Sequence, residues 1–258
     1  MTPPVVVIHR DADELAGAVA ARLITRIADV QSARENASIV VTGGGLGGAT
    51  LSAVAASPAR SAVDWKHLDV WWGDERFLPR GHPERNETQA RAALLDAVPA
   101  LPHRVHPMPA TEDTGDDPDA AAECYAAELA AATRPENHAH VPEFDVLMLG
   151  VGPDGHVASL FPDQPALYET RQVVAVRGAP KPPPTRISLT LPAIRTATEV
   201  WLLVAGEDKA AAVRMALSGA GEVQVPAAGA RGRQRTVWLL DRAAASALPP
   251  GLERIASP

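Results

Sequence analysis

The chain has 258 residues, 46% of them hydrophobic, and a formal charge of −7 from 24 basic and 31 acidic side chains. That length buries a full core, while the acidic balance argues against a nucleic-acid footprint and a polybasic membrane contact. No apolar run approaches the roughly 18 residues of a membrane span, and a single cysteine, Cys124, excludes an intramolecular disulfide, so a cytoplasmic enzyme is the expected class.

In chain order, Val5 to Ile8 reads as a first strand with no basic leader before it. Asp11 and Glu14 form a capping box, and Leu15, Val19, Leu23, Ile27 and Val30 make an apolar stripe at helical spacing, which predicts an amphipathic helix over 12–30. A short strand, Ser38 to Thr42, runs into Gly43-Gly-Gly-Leu-Gly-Gly48 and a helix over 49–56. The glycine run fits G-x-G-x-x-G, but the next strand, Leu68 to Gly73, has Asp69 near its start and a charged motif of its own at its end. Bare N–H groups at a helix start suit a phosphate monoester better than a dinucleotide.

Asp74, Glu75 and Arg76 emerge together at the end of that strand, where α/β sheets place ligands. Arg76 suits a hydroxylated or anionic substrate, and the carboxylates suit orienting it. Asn86 is expected to cap a helix reaching about Val98. Residues 99–116 read as loop, with His103 and His106 solvated, and His138 and His140 are expected to be solvated too. Cys124, in a helix over 120–133, is expected to be a small core residue. No metal-ligand spacing and no G-x-S-x-G elbow occurs, so neither a metal nor a serine nucleophile at Ser159 is expected.

Val146 to Leu149 reads as a buried parallel strand, and Gly150, Gly152 and Gly155 turn the backbone at its carboxyl end. His156 follows, with Asp154 before it and a short helical run, Val157 to Phe161, behind it. Further strands are expected at 173–176, 186–191, 199–205 and 235–240, with a turn at Gly206-Glu-Asp-Lys209 leading into a helix. Alternating strands and helices without a linker predict one α/β domain over residues 1–258, a mostly parallel sheet flanked by helices on both faces in a three-layer, Rossmann-like arrangement. Only three lysines (Lys66, Lys181, Lys209) stand against 21 arginines. A lysine kept at the 206–209 turn suits a point-like contact to a phosphate oxygen, or simply a solvated helix start.

Thr42-Gly-Gly-Gly45, Trp72-Gly-Asp-Glu-Arg-Phe-Leu-Pro79, Asn86, Gly150-Val-Gly-Pro-Asp-Gly-His-Val-Ala-Ser-Leu-Phe-Pro162, Lys181-Pro-Pro with Arg186-Ile-Ser-Leu-Thr, and Gly206-Glu-Asp-Lys209 together resemble the 6-phosphogluconolactonase family, in the superfamily of hexosamine-6-phosphate deaminases and isomerases. The resemblance implies hydrolysis of 6-phospho-D-glucono-1,5-lactone in the oxidative pentose phosphate pathway, without a cofactor. It implies His156 as general base, and Gly43, Gly44, Gly45, Arg186 and Lys209 as the phosphate site. It implies that Arg76 faces the substrate, with Asp74, Glu75 and Asn86 orienting it. Two departures stand out: glycine rather than serine at position 45, and a poor match over Val225 to Arg231.

Lactone hydrolysis suits a histidine with an ordinary pKa near 6.5, which takes a proton from water and returns it to the leaving oxygen. Asp154 either orients His156 or caps the loop; the oxyanion partner is either the N–H groups around Gly155 or Arg76. The expected partner is a small sugar phosphate lactone, not nucleic acid or membrane, bound by a monomer or small homo-oligomer. The rival expectations are a hexosamine-6-phosphate deaminase, which would need a second carboxylate in Ala158-Ser-Leu-Phe-Pro162, and a sugar-phosphate-binding regulator without turnover.

Overall fold

The computed structural model describes residues 3–133 and 140–249, so His138 lies outside the described residues. Among the described residues, ten strands form two sheets. Strands β1 (Val5–His9), β2 (Ala37–Val41), β3 (Leu68–Trp72), β5 (Val105–His106), β6 (Val146–Gly150), β9 (Glu199–Val204) and β10 (Arg235–Asp241) make a seven-stranded sheet of order β1-β10-β9-β6-β2-β3-β5. Every adjacent pair in it is parallel. The main sheet is the expected parallel one; beside it, strands β4 (Asp74–Arg76), β7 (Val173–Val176) and β8 (Arg186–Leu189) form a small antiparallel sheet of order β4-β8-β7. Short segments such as Asp74–Arg76 carry no periodicity from which such pairing can be read.

The main sheet is apolar along its central strands because helices α1 (Ala12–Arg34), α2 (Gly44–Ala56) and α3 (Asn86–Ala93) flank it, while α4 (Pro118–Ala131) packs on β7 and β8. Asp11 caps α1 by accepting the Glu14 N–H at 2.9 Å, and the predicted stripe, Leu15, Val19, Leu23, Ile27 and Val30, is buried. No helix among the described residues is long and apolar enough to cross a membrane.

The order in which successive strands are laid down in the main sheet reverses between β2 and β6. The strands after β2 run outward to β5, while those after β6 run the other way to β10. The loops leaving β2 and β6 therefore splay apart at their carboxyl ends and open a crevice there.

Three local expectations are overturned. Residues Val157 to Phe161 are not helical: Val157 makes isolated bridges to Val151 and Leu160, because the loop closes on itself through a Gly152 N–H to His156 carbonyl bond of 2.9 Å. His106 is not a solvated loop residue. It lies on β5, stacked on Trp71 at 3.7 Å and bonded to Glu128 at 2.8 Å and Asp69 at 3.3 Å. Burial alone would lower its pKa, but the two carboxylates outweigh that and hold it above the usual histidine value. Cys124 is exposed, on the outer side of α4.

The end of β3 shows how the small elements are tied in. Beyond the last β5 partner, the Trp72 N–H finds the buried Tyr125 hydroxyl of α4 at 3.0 Å. Tyr125→Phe is expected to leave that N–H buried and unpaired, at a cost of about 1–3 kcal/mol. A urea titration checks this, with a lower midpoint and an unchanged slope as the expected result.

Candidate active site

A cleft of about 470 Å³ occupies the crevice at the β2/β6 reversal. Its lining includes Thr42 to Gly47 after β2, Gly150 to Pro153 and His156 after β6, Asp74 and Arg76 of β4, Asn86 of α3, Arg186 of β8, and the two lysines Lys181 and Lys209. Thr42 Oγ1 accepts the Gly150 N–H at 3.2 Å and so ties the first two together.

The glycine run does more than turn the chain. Gly44 to Gly48 lie inside the first turns of α2, and Gly43 is its N-cap with no side-chain partner, so the first N–H groups of the helix face the cleft bare. A Cβ on Gly43 would sit 1.8 Å from Asn86 Oδ1, which is why this position has no side chain.

His156 is mostly buried, its ring 4.5 Å from that of Phe161. Asp154 Oδ1 lies 2.5 Å from His156 Nδ1. Burial pushes His156 below the usual histidine value, with Asp154 opposing it and Lys181 adding to the fall. Burial would raise Asp154, but the His156 hydrogen bond outweighs it and holds the carboxyl below its usual range. The ring is thus neutral at pH 7, with Nδ1 occupied and Nε2 available. Gly152 makes room for it: a Cβ there would lie 2.0 Å from His156 Nδ1.

The small sheet brings the two arginines together. In the β4–β8 register Arg76 stands opposite Arg186, and Asp74 opposite Ser188. Two like charges across a strand pair are unfavourable unless an anion lies between or beside them. Arg186 is almost fully buried, which pulls its pKa down, and Asp74 is the carboxylate that counters this most. Its Nε and Nη2 hold the carbonyls of Pro183, Lys181 and Pro182, so the guanidinium also fixes the loop that carries Lys181. Lys209 pairs with Asp208 at the end of the turn Gly206 to Lys209 that leads into α5 (Ala210–Leu217), a turn held by Asp241, whose two oxygens accept the Gly206 N–H at 3.1 Å.

Several site expectations are placed differently. Glu75 is fully buried and lines no part of the cleft, so it cannot orient a substrate by contact. Asn86 does not cap α3: Arg85 is the N-cap residue, the helix ends at Ala93, and the Asn86 side chain instead donates to the Asp74 carbonyl at 2.8 Å and accepts from Arg76. The Gly155 N–H is bonded to the Gly152 carbonyl at 2.9 Å and so is not itself open to an oxyanion. Ser159 is buried and donates to Asp74 Oδ2 at 2.7 Å, fixing that carboxylate rather than attacking a substrate. Lys181, noted only as a rare lysine and part of a motif, lines the cleft, and Val225 packs against Gly155 while Ala227 N–H bonds its carbonyl. Among the described residues no group of three or more His, Cys, Asp or Glu is arranged to hold a metal.

The family model for glucosamine-6-phosphate isomerases/6-phosphogluconolactonase matches residues 10–238. The chain belongs to this family. Within the isomerase/lactonase family, the chain is 66% identical to the 6-phosphogluconolactonase of Streptomyces coelicolor over 96% of both chains. It is 52% identical to that of Mycobacterium tuberculosis over 94% of this chain and 97% of the relative. The structure of the Trypanosoma brucei 6-phosphogluconolactonase superposes with a TM-score of 0.82 at 26% identity, covering 96% of this chain and 100% of that one. A monomeric glucosamine-6-phosphate deaminase shares the fold, with a TM-score of 0.77 at 19% identity over 94% of this chain and 99% of that one.

Proposed function

We propose that this chain hydrolyses 6-phospho-D-glucono-1,5-lactone to 6-phosphogluconate, as a cytoplasmic enzyme of the pentose phosphate pathway. The observation that carries this reading is one cleft that brings His156, paired with Asp154, together with Arg186, Lys209 and the bare N-terminus of α2. The family relationship, with its lactonase relatives at 66% and 52% identity, gives the substrate its name.

In this proposal the phosphate is held by the N–H groups of Gly44 and Gly45, the Arg186 guanidinium and the Lys209 ammonium. The lactone carbonyl then lies between His156 and Arg76. Nδ1–H of His156 donates to Asp154, so Nε2 takes the proton of the attacking water as its oxygen bonds to the carbonyl carbon. Arg76 balances the oxyanion, and the imidazolium returns the proton to the ring oxygen as the ester bond breaks. Asp74, fixed by Ser159 and Asn86, accepts from the sugar hydroxyls.

Asp154→Asn tests the pairing. The variant is expected to lose roughly ten- to a hundredfold in kcat, because His156 loses its orienting acceptor. The carboxylate raises the His156 pKa, so its removal also moves the acid limb of kcat to lower pH. An unchanged limb would assign Asp154 to capping the loop.

The function itself is checked with freshly prepared lactone, subtracting its spontaneous opening. Acceleration by the purified chain, with no ammonia released from glucosamine 6-phosphate, is the expected result. Ammonia release would replace the lactonase reading by the deaminase one. Tight 6-phosphogluconate binding without turnover would favour a regulator.

A further inference from the structure

Within the run Asp74-Glu75-Arg76, Glu75 is the member turned away from the cleft, yet it is the most heavily bonded. Its Oε1 accepts the N–H of Arg76 at 2.8 Å and of Asn86 at 2.7 Å, and its Oε2 accepts the N–H of Glu87 at 2.9 Å. A single carboxylate therefore joins the end of β4 to the first turn of α3. The two residues it grips by their backbones, Arg76 and Asn86, are those whose side chains meet in the cleft wall, Arg76 Nη1 on Asn86 Oδ1. That contact lies directly against Gly43 at the start of α2.

We propose that ionised Glu75 is a positioning residue, which sets the affinity of the cleft for its sugar phosphate by holding Arg76 and Asn86 in register with the α2 N-terminus. The inference rests on the lactonase function proposed above. Three N–H donors converge on two oxygens that accept only, whereas the glutamine amide offers one acceptor oxygen and turns N–H against N–H at the other. The bonds also collect the free N–H groups of the first turn of α3, where a negative charge is favoured.

The charge is finely balanced. Burial pushes Glu75 up to about 7, against the pull of Arg85 and the three N–H bonds. Charged and titratable groups facing it are Arg85 at 3.8 Å, Glu87 beside Arg85, Arg76 and Asp74 on its own strand, Arg186 on β8 and Tyr125 on α4. The sign for folding follows from a pKa raised above the unfolded value: the stabilising contribution is full below about 4.5 and is lost as pH rises through about 7. Affinity has the opposite sign, since the cleft needs the carboxylate and loses it as pH falls through about 7. A role in stability alone cannot produce that opposition.

The test is calorimetric titration of 6-phosphogluconate into wild type and Glu75→Gln from about pH 6 to about pH 8.5, with kcat and KM for the lactone measured alongside. The variant is expected to bind about tenfold more weakly, with KM raised to match, and to lose about tenfold in kcat as well, because Arg76, the partner of the oxyanion, shifts with Asn86 while His156 and Asp154 stay in place. Wild-type affinity is expected to fall as pH drops through about 7, beyond the fall from the ligand phosphate itself, whose pKa is near 6, and the variant lacks this extra fall. Equal affinity and equal pH profiles in the two proteins overturn the proposal, as does a variant that loses kcat at unchanged KM. Should the variant not fold, wild type decides: affinity that stays flat between about pH 8 and about pH 6.5 overturns it. A wild type that neither binds 6-phosphogluconate nor opens the lactone overturns the lactonase function and this inference together, whereas an active wild type with an indifferent variant overturns the positioning role alone.

Discussion

His156→Ala is expected to lower kcat for the lactone by about 10²–10⁴-fold while leaving the affinity for 6-phosphogluconate within a few-fold of wild type. The separation follows from the geometry. His156 stands on the loop after β6, paired with Asp154, and the groups that suit a phosphate are the Arg186 guanidinium on β8, the Lys209 ammonium before α5 and the bare N–H groups at the start of α2. Removing the ring deletes the proton acceptor and leaves the anion site standing. Wild type should show a single acid limb in kcat, below the ordinary histidine value of about 6.5, because the active form is the neutral ring and burial lowers its pKa. The measurement is steady-state hydrolysis corrected for spontaneous opening, beside a binding titration with the product. Near-normal turnover in the variant would sink the general-base assignment, and loss of binding in step with kcat would point to a collapsed loop.

The second large effect is expected at Arg186. Its guanidinium faces the cleft, yet Nε and Nη2 also hold three carbonyls of the loop Lys181 to Pro183. Arg186→Ala therefore removes a charge-assisted contact to the phosphate, about 1.5–3 kcal/mol, and releases the loop that presents Lys181. KM is expected to rise by at least about tenfold and as much as a few hundredfold, with kcat at saturation changed far less. Arg186→Lys should recover little, because a single ammonium cannot reproduce the forked grip on several carbonyls. Lys209→Ala, by comparison, removes a side chain that already shares its charge with Asp208, so its effect should be smaller. An unchanged KM in Arg186→Ala would move the phosphate elsewhere in the cleft.

Much of this is legible in the amino-acid sequence. The α1 stripe, the buried strands and the glycine turns follow from local periodicity and from residues with strong backbone preferences, and these act over a few positions. The placement of His156 after β6 and of the glycines after β2 follows as well, since α/β sheets expose the carboxyl ends of their strands. Asn86, Glu75 and Ser159 show the limit. Each carries a polar group whose partner is 11, 12 or 85 residues away, at Glu75, Asn86 and Glu87, or Asp74. No pattern within a short window separates a carboxylate that meets a ligand from one that meets buried N–H groups.

Fold class, family and most of the chemically able residues are readable from the amino-acid order, because hydrophobic period, glycine placement and motif spacing are properties of neighbouring positions. The tertiary structure alone decided which of those residues share a cleft. It paired Arg76 with Arg186 across the small antiparallel sheet, turned Glu75 inward to tie β4 to α3, and brought Val225 and Ala227 under the Gly155 turn. The physical reason is that burial and hydrogen-bond satisfaction are collective. Whether a side chain is desolvated, and which donor it must answer, is set by segments far away in the chain that pack against it.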